Sequence, residues 1–272
     1  MELNQLYRQK KTLEAYPNIN KLFTDLQDFC NKFVLPVRNA NIELSKRKNT
    51  YGRIYDYSHL ARIDFNNKII CDLGARDGFF GIYLTQFAKR VDISDYFQLW
   101  DTGLPGGLPD YITEKKAIDK ICNSLNTIHK VNVENQDITN LIYKNNSYDI
   151  VLCTSVIEHI YPQSRNNKGQ YNGDIKAIKE IARICKPGGY VLLSTDICQL
   201  DTSAFPNPKS RWYGGTYWYS EKELFDRIIN STDLELVGNY DFSFNNENND
   251  LVHKHHDLSQ CSPCVLLLRK PI

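Results

Sequence analysis

The sharpest change of hydrophobic period in the chain falls between Lys68 and Ala88, KIICDLGARDGFFGIYLTQFA. It opens with the apolar run Ile69-Ile70-Cys71, too short for a helix and bounded by charge, which predicts a buried strand. The strand ends at Asp72-Leu73-Gly74, where the chain turns, with further glycines at Gly78 and Gly81. From Phe79 the apolar positions Phe80, Tyr83, Leu84 and Phe87 fall at i, i+3, i+4 and i+7, one face of a helix. Upstream, Leu22, Phe23, Leu26, Phe29, Cys30 and Phe33 keep helical spacing and predict a helical preface that ends at Pro36.

Downstream the same reading continues. Arg90 to Ser94 gives a second strand ending at Asp95, Ile118 to Ile128 a helix, and Val131 with Val133 a third strand. Between them TGLPGGLPDY is a connector or a small lid. Ser147 to His159 is a buried strand running out into a polar tip. Glu180 to Ser194 is a helix that stops at Lys186, turns through Pro187-Gly188-Gly189 and becomes a fifth strand. Ser220 and Glu223 are spaced as a capping box at a helix start. Leu234 to Gly238 and Val265 to Arg269 read as sixth and seventh strands.

Charge and composition narrow the classes. With 33 basic and 32 acidic residues among 272, no broad basic field advertises nucleic acid or an anionic membrane. No apolar run approaches the roughly 20 residues of a membrane helix, and MELNQLYRQKK lacks a signal peptide's apolar segment. A cytoplasmic protein is the expectation, and Cys71, Cys153 and Cys185 inside apolar segments fit reduced thiols.

The glycine turn supplies the first candidate chemistry. Glycine lets backbone approach a ligand, and a helix start aims free N–H groups at an anionic part. An acid ending the second strand accepts hydrogen bonds from ribose hydroxyls about 20 residues beyond such a turn. Asp95 lies 21 positions after Gly74, with Asp92 as second choice. The same opening unit also suits a nicotinamide oxidoreductase, or a βα turn with no ligand.

Four motifs together resemble the class I S-adenosylmethionine-dependent methyltransferases, over about Lys68 to Ser194. DLGARDGFFG is similar to the family's first motif, Asp137-Ile138 to its acidic-apolar pair beside the adenine, CTSVIEHI to its fourth-strand motif, and KPGGYVLLS to the turn before strand five. The resemblance implies an α/β, Rossmann-like, seven-stranded and mostly parallel sheet. Its last strand is antiparallel and helices cover both faces. Ahead of the resembling stretch, the helical spacing of residues 1–66 is read as a helical N-terminal flap over the ligand edge, since such a segment has to lie on the core it covers. Residues 67–272 form the methyltransferase domain, with an aromatic insertion near 200–219 on the substrate side (Phe205, Trp212, Tyr213, Tyr217, Trp218).

S-adenosyl-L-methionine is the implied cofactor. Its site is expected to use Asp72, Gly74, Ala75, Arg76, Asp77 and Gly78 around the methionine part, Asp95 at the ribose, Asp137 and Ile138 at the adenine, and Ser155. Arg76 departs from the family's glycine, so its side chain either points away from the cofactor or reaches the methionine carboxylate. It is also the sole sequence support for a domain that binds without catalysis.

His159 follows the fourth-strand tip, where the resemblance places the acceptor, and is the candidate base, with Tyr161 and Tyr213 in reserve; Glu158 is assigned to the cofactor or a helix terminus. Thr154-Ser155-Val156-Ile157 lacks the Asn/Asp-Pro-Pro-aromatic tip of base-modifying relatives. The expected partner is therefore a small polar acceptor rather than nucleic acid, methylated on oxygen, in sugar or surface-glycan biosynthesis. Tyr51, Tyr55, Tyr57 and His59 either line a substrate entrance or pack aromatically at the surface. His253, His255, His256, Cys261 and Cys264 contain a single C-x-x-C, and the expectation is a solvated loop without metal.

Overall fold

A computed structural model describes residues 4–6, 9–41, 44, 53–97, 110–160, 172–199, 212–213, 216–243, 253–254 and 260–272. Its main strands are β1 (Asn4–Leu6), β2 (Ile69–Leu73), β3 (Arg90–Asp95), β4 (Val131–Asn135), β5 (Tyr148–Thr154), β6 (Cys185–Cys198) and β7 (Gln260–Arg269). Across the sheet the order is Tyr240–Asp241, β1, β7, β6, β5, β2, β3, β4. From β4 to β6 every pairing is parallel, and β7 runs antiparallel to β6. The strand expected at Lys68 is thus central, and the last strand has the expected direction.

The strand count differs from the seven expected. Among the described residues the sheet holds 11 strands. The extra ones are segments of two or three residues, too short to show a period: β1, Tyr219–Ser220, Tyr240–Asp241 and His253–Lys254. β1 also changes the reading of the N-terminal segment, which is not helical throughout. It wedges between β7 and Tyr240–Asp241, so the expected sixth strand keeps only Glu235–Leu236 on β7.

Helices α1 (Gln9–Ala15) and α2 (Pro17–Phe29) open the N-terminal part, followed by a wide turn at Cys30–Val34 and by α3 (Leu35–Asn39). Pro36 does not end this helix. It sits in the first turn of α3, where no N–H is required of it. The preceding turn is widened, with the Leu35 N–H reaching back to the Cys30 carbonyl.

The chain continues through α4 (Ile54–Ser58), α5 (Phe79–Leu84), α6 (Tyr111–Ser124), α7 (Ile157–Ile160) and α8 (Gly173–Ile184). α5 is shorter than its apolar spacing suggested. All six of its residues are buried, and Phe87 lies beyond its end, 40% exposed. The α6 helix begins well before Ile118 and stops at Ser124. Ser220 and Glu223 make both bonds of the capping box, as expected.

Strand alternation sorts the core onto two faces. Ile70, Ile150, Leu152, Leu192 and Leu267 pack with α2, α4, α5 and α6. Cys71, Leu73, Val151, Cys153, Val191 and Leu193 pack with α8 and the helix at Leu224–Ile229. In α8, Ala177, Ile178, Ile181, Ala182 and Ile184 form the buried stripe. A fully buried side chain of this size contributes about 1.5–3 kcal/mol, so both layers are held mainly by these stripes.

Tyr55, Tyr57 and His59 are neither surface packing nor an open entrance. All three are buried, with Tyr55 edge-on to the His59 ring at 4.9 Å; Tyr51 lies outside the described residues. The loop expected at Thr102 to Tyr111 also lies mostly outside them.

One buried ion pair fastens α3 to α6. Arg38 Nη1 and Nη2 donate to Glu114 Oε2 and Oε1 at 2.8 and 3.2 Å, and both residues are buried. Removing one partner leaves a buried charge uncompensated, which costs about 3–5 kcal/mol, whereas an apolar pair of similar volume is often neutral. Glu114→Ala is therefore expected to lower denaturant-measured stability by about 3 kcal/mol, and Arg38→Met/Glu114→Met to recover most of it. A loss below about 1 kcal/mol in the single variant would contradict this account.

Candidate active site

The C-terminal tips of the parallel strands share one edge, because Leu73 pairs with both Ser94 and Cys153, and Thr154 pairs with Ser194. The residues singled out in the sequence converge there. Gly74 turns the chain with φ +67°, and a β-carbon on it would lie 2.3 Å from Val156 Cγ2. The tips of β2 and β5 therefore touch, and glycine is required at the point of contact. Ala75 N donates to the Ser94 carbonyl at 3.2 Å and Arg76 N to Asp95 Oδ2 at 3.0 Å. Gly78, left-handed at φ +62°, caps α5 and donates to the Ala75 carbonyl at 2.8 Å.

Arg76 occupies the turn at φ +35° without disrupting it. Its guanidinium lies over the Phe97 ring, 6.0 Å from the centroid, on the side of the turn where β3 ends. Asp95 is buried at the end of β3, and its carbonyl accepts from Gln136 N at 2.9 Å, which brings the β4 tip alongside. Asp137 Oδ1 accepts from Thr139 N at 2.8 Å and from its hydroxyl at 2.7 Å, a local turn that fixes the buried Ile138.

Asp72 is fully buried. Its Oδ1 accepts from the Tyr57 hydroxyl at 3.3 Å, and its Oδ2 faces the Gly81 backbone without a well-formed hydrogen bond among the described residues. Burial pushes its pKa up to about 8, with Asp77 adding to the rise and the Tyr57 bond opposing it. A weakly held carboxylate oxygen beside a glycine turn that excludes side chains fits a ligand with a cationic group and a backbone-hugging anionic group. S-adenosylmethionine has both.

The β5 tip is more elaborate than the sequence revealed. Ser155, at φ +51°, donates from its hydroxyl to Glu158 Oε1 and accepts from Arg53 Nη2. Glu158 is fully buried and takes a second bond from Thr195 Oγ1 at 3.3 Å, so its partners are side chains rather than a helix terminus. His159 Nε2 lies 3.9 Å from Glu158 Oε1, and its side chain is 26% exposed. Asp56, buried in α4, accepts from Ser194 Oγ at 2.8 Å and lies 3.5 Å from Arg53 Nη1.

Asp56, Asp196 and Arg53 escaped the sequence reading. Asp196 carried a signal, as the first acid after the apolar run of strand five. Asp56 carried none, since only tertiary packing brings YDYS to the strand tips. Burial, with Glu158 and Asp196 nearby, holds Asp56 well above the usual carboxylate range against the Ser194 bond. Burial also pushes Asp196 up to about 7, with Glu158 adding and Arg53 opposing.

Other candidates are core residues or lie outside the described residues. Tyr217 is buried and donates to Glu223 Oε1 at 2.8 Å, so it belongs to the core rather than to a pocket lid. Tyr161, Phe205, His255 and His256 lie outside the described residues, as do the side chains of Trp212, Tyr213, His253 and Cys261. Among the described residues no cluster of His, Cys, Asp and Glu could hold a metal, and no helix is long and apolar enough to cross a membrane. A cavity of about 480 Å³ lies between Tyr16–Ile19, Ala61–Arg62 and Val237–Gly238 and borders none of the site residues.

A model of the methyltransferase domain matches residues 44–238. The chain belongs to this methyltransferase family. It is an S-adenosylmethionine-dependent methyltransferase of class I architecture, which sets aside the nicotinamide reading of the glycine turn. A search of curated proteins found no match.

Similar solved structures share the fold at low identity. The [4+2]-cyclase SpnF is 13% identical with a TM-score of 0.57, covering 91% of this chain and 94% of its own. YcgJ from Bacillus subtilis is 12% identical at a TM-score of 0.54, over 80% and 99%. The N-methyltransferase NodS from Bradyrhizobium japonicum WM9, solved with S-adenosyl-L-homocysteine, is 14% identical at 0.50, over 88% and 97%. At these identities the likeness shows the methyltransferase fold alone. A cyclase among them means that the acceptor has to be argued from this chain's own residues.

Two outcomes follow from the geometry. Gly74→Ala is expected to lower the melting temperature and weaken S-adenosylhomocysteine binding at least tenfold, with Val156→Ala partly restoring both; an unchanged affinity would refute the contact's importance. Asp196 has a raised pKa in the fold, so its contribution to stability is full at acid pH and is lost as pH rises through about 7. Asp196→Asn should therefore melt higher than the parent at pH 8 but not at pH 4, and equal shifts at both would contradict the assignment.

Proposed function

We propose that this methyltransferase acts on an oxygen of a small polar metabolite, with His159 as the base. The observation that carries the reading is the His159–Glu158 pair just past the β5 tip, Nε2 to Oε1 at 3.9 Å, with the carboxylate fully buried. A buried carboxylate beside an imidazole stabilises the imidazolium that forms when the ring takes the acceptor's proton. Glu158 itself is held by Ser155 and Thr195, so the pair is preorganised rather than loose.

In this reading Gly74 to Gly78 hold the methionine part of the cofactor, Asp72 faces its ammonium, Asp95 takes the ribose hydroxyls, and Asp137 with Ile138 flanks the adenine. Ser155 lies between cofactor and acceptor. Bound there, S-adenosylmethionine supplies a methyl group activated by its sulfonium. The protein's task is then to align the acceptor, take its proton and keep water out. Residues 1–66 act as a flap, since Arg53 and Asp56 from this segment reach the β5 and β6 tips. The near balance of charge favours a small molecule over nucleic acid, and sugar or surface-glycan biosynthesis remains the setting we favour.

His159→Ala should lower turnover by about 100-fold while leaving S-adenosylhomocysteine affinity within a factor of about two, the pattern of a lost general base. Turnover is measured as label passed from methyl-labelled S-adenosylmethionine to small molecules. Unchanged turnover would place the base elsewhere, and label found in tRNA or protein would defeat the acceptor class.

A further inference from the structure

Three carboxylates from three elements meet on the acceptor side of the strand tips. Asp56 comes from α4, Glu158 from α7 and Asp196 from β6, and each lies within electrostatic reach of the others. Their hydrogen bonds are unevenly shared. Glu158 is satisfied by two hydroxyls, those of Ser155 and Thr195. Asp56 uses Oδ2 for the Ser194 hydroxyl, while its Oδ1, in a fully buried residue, has no hydrogen-bond partner among the described residues. Asp196 accepts no hydrogen bond from any described residue.

Charge is uneven as well. The groups facing these acids are Arg53, His159, the hydroxyls of Ser155, Ser194 and Thr195, and the buried Cys264 thiol on β7. Among the described residues Arg53 is the one permanent cation of this set, and it divides its guanidinium between Ser155 and Asp56. Among those residues the acids therefore outnumber their cations. Asp56 is fully buried and Asp196 partly so, and such a cluster is relieved either by taking up protons or by a positive group that joins it.

We infer that the acceptor carries a protonated amine, which docks against Asp56 Oδ1 and Asp196 while another part of the molecule meets His159. An ammonium brings up to three N–H donors and a compensating charge, where a hydroxyl brings one donor and no charge. The acceptor class narrows to small amino-bearing polar metabolites, such as amino sugars or amino alcohols. This rests on the methyl-transfer reading above, and the amine is assigned as the docking group whichever heteroatom receives the methyl.

The test uses methyl-labelled S-adenosylmethionine and a polar metabolite extract, half of it pretreated with acetic anhydride to turn its amines into amides. Label passed to small molecules should fall at least tenfold in the acetylated half. Asp196→Asn should cut labelling at least tenfold at limiting extract, with recovery at high extract and unchanged affinity for S-adenosylmethionine. Asp56→Asn should behave alike, and Asp196→Asn keeps the test usable if the more buried variant fails to fold.

Labelling that survives acetylation would overturn the inference and leave methyl transfer standing. A tenfold loss of S-adenosylmethionine affinity in Asp196→Asn would overturn it too, by assigning the carboxylates to the cofactor's own cation. No label in either half would overturn the methyl-transfer reading and this inference with it. Fragmentation that places the label on nitrogen would overturn the oxygen assignment and support the amine.

Discussion

The fold hinges on the contact between Gly74 and Val156. Two parallel strands at the centre of the sheet end side by side, and the turn leaving one is pressed against the first residues leaving the other. A left-handed backbone with no side chain is the one arrangement that lets both tips close. Everything at the edge inherits its position from that approach: Asp72 below the turn, Arg76 and Asp95 bonded on one flank, Ser155 and Glu158 on the other.

Polar groups buried at this edge are held by a second constraint. Glu158, Asp56 and Asp72 are all out of solvent, and each needs partners from elements far apart in sequence. The N-terminal segment supplies several of them, through Tyr57 on Asp72 and Arg53 on Ser155. That segment therefore contributes polar side chains to the strand-tip edge. Its attachment does not rest on these bonds alone, since Leu22, Leu26, Phe29 and Val34 share a core with Ile70 and Phe80, and Arg38 is bonded to Glu114.

Local pattern was enough to read β2 to β6, the capping box and the glycine turn, because each is written in consecutive residues by period or by turn chemistry. It failed where neighbours decide. Pro36 looked like a helix stop, yet a widened turn at Cys30–Val34 accommodates it. The apolar spacing of α5 suggested one buried face, whereas α5 lies wholly inside. Tyr57 and His59 looked superficial because their burial is created by helices elsewhere in the chain. That Asp72, Asp95, Ser155 and His159 gather at the strand tips was legible from motif position. Asp56 was not, since no spacing links α4 to the strand tips, and the signal at Asp196, an acid just past the apolar run of β6, went unread.

The most direct test of the account is a crystal structure with S-adenosylhomocysteine bound. The homocysteine part should lie along Gly74 to Gly78, the ribose hydroxyls on Asp95, and the adenine beside Asp137 and Ile138, with the sulfur turned toward Ser155 and His159. A ligand seated elsewhere, or one whose sulfur faces away from the β5 tip, would contradict it.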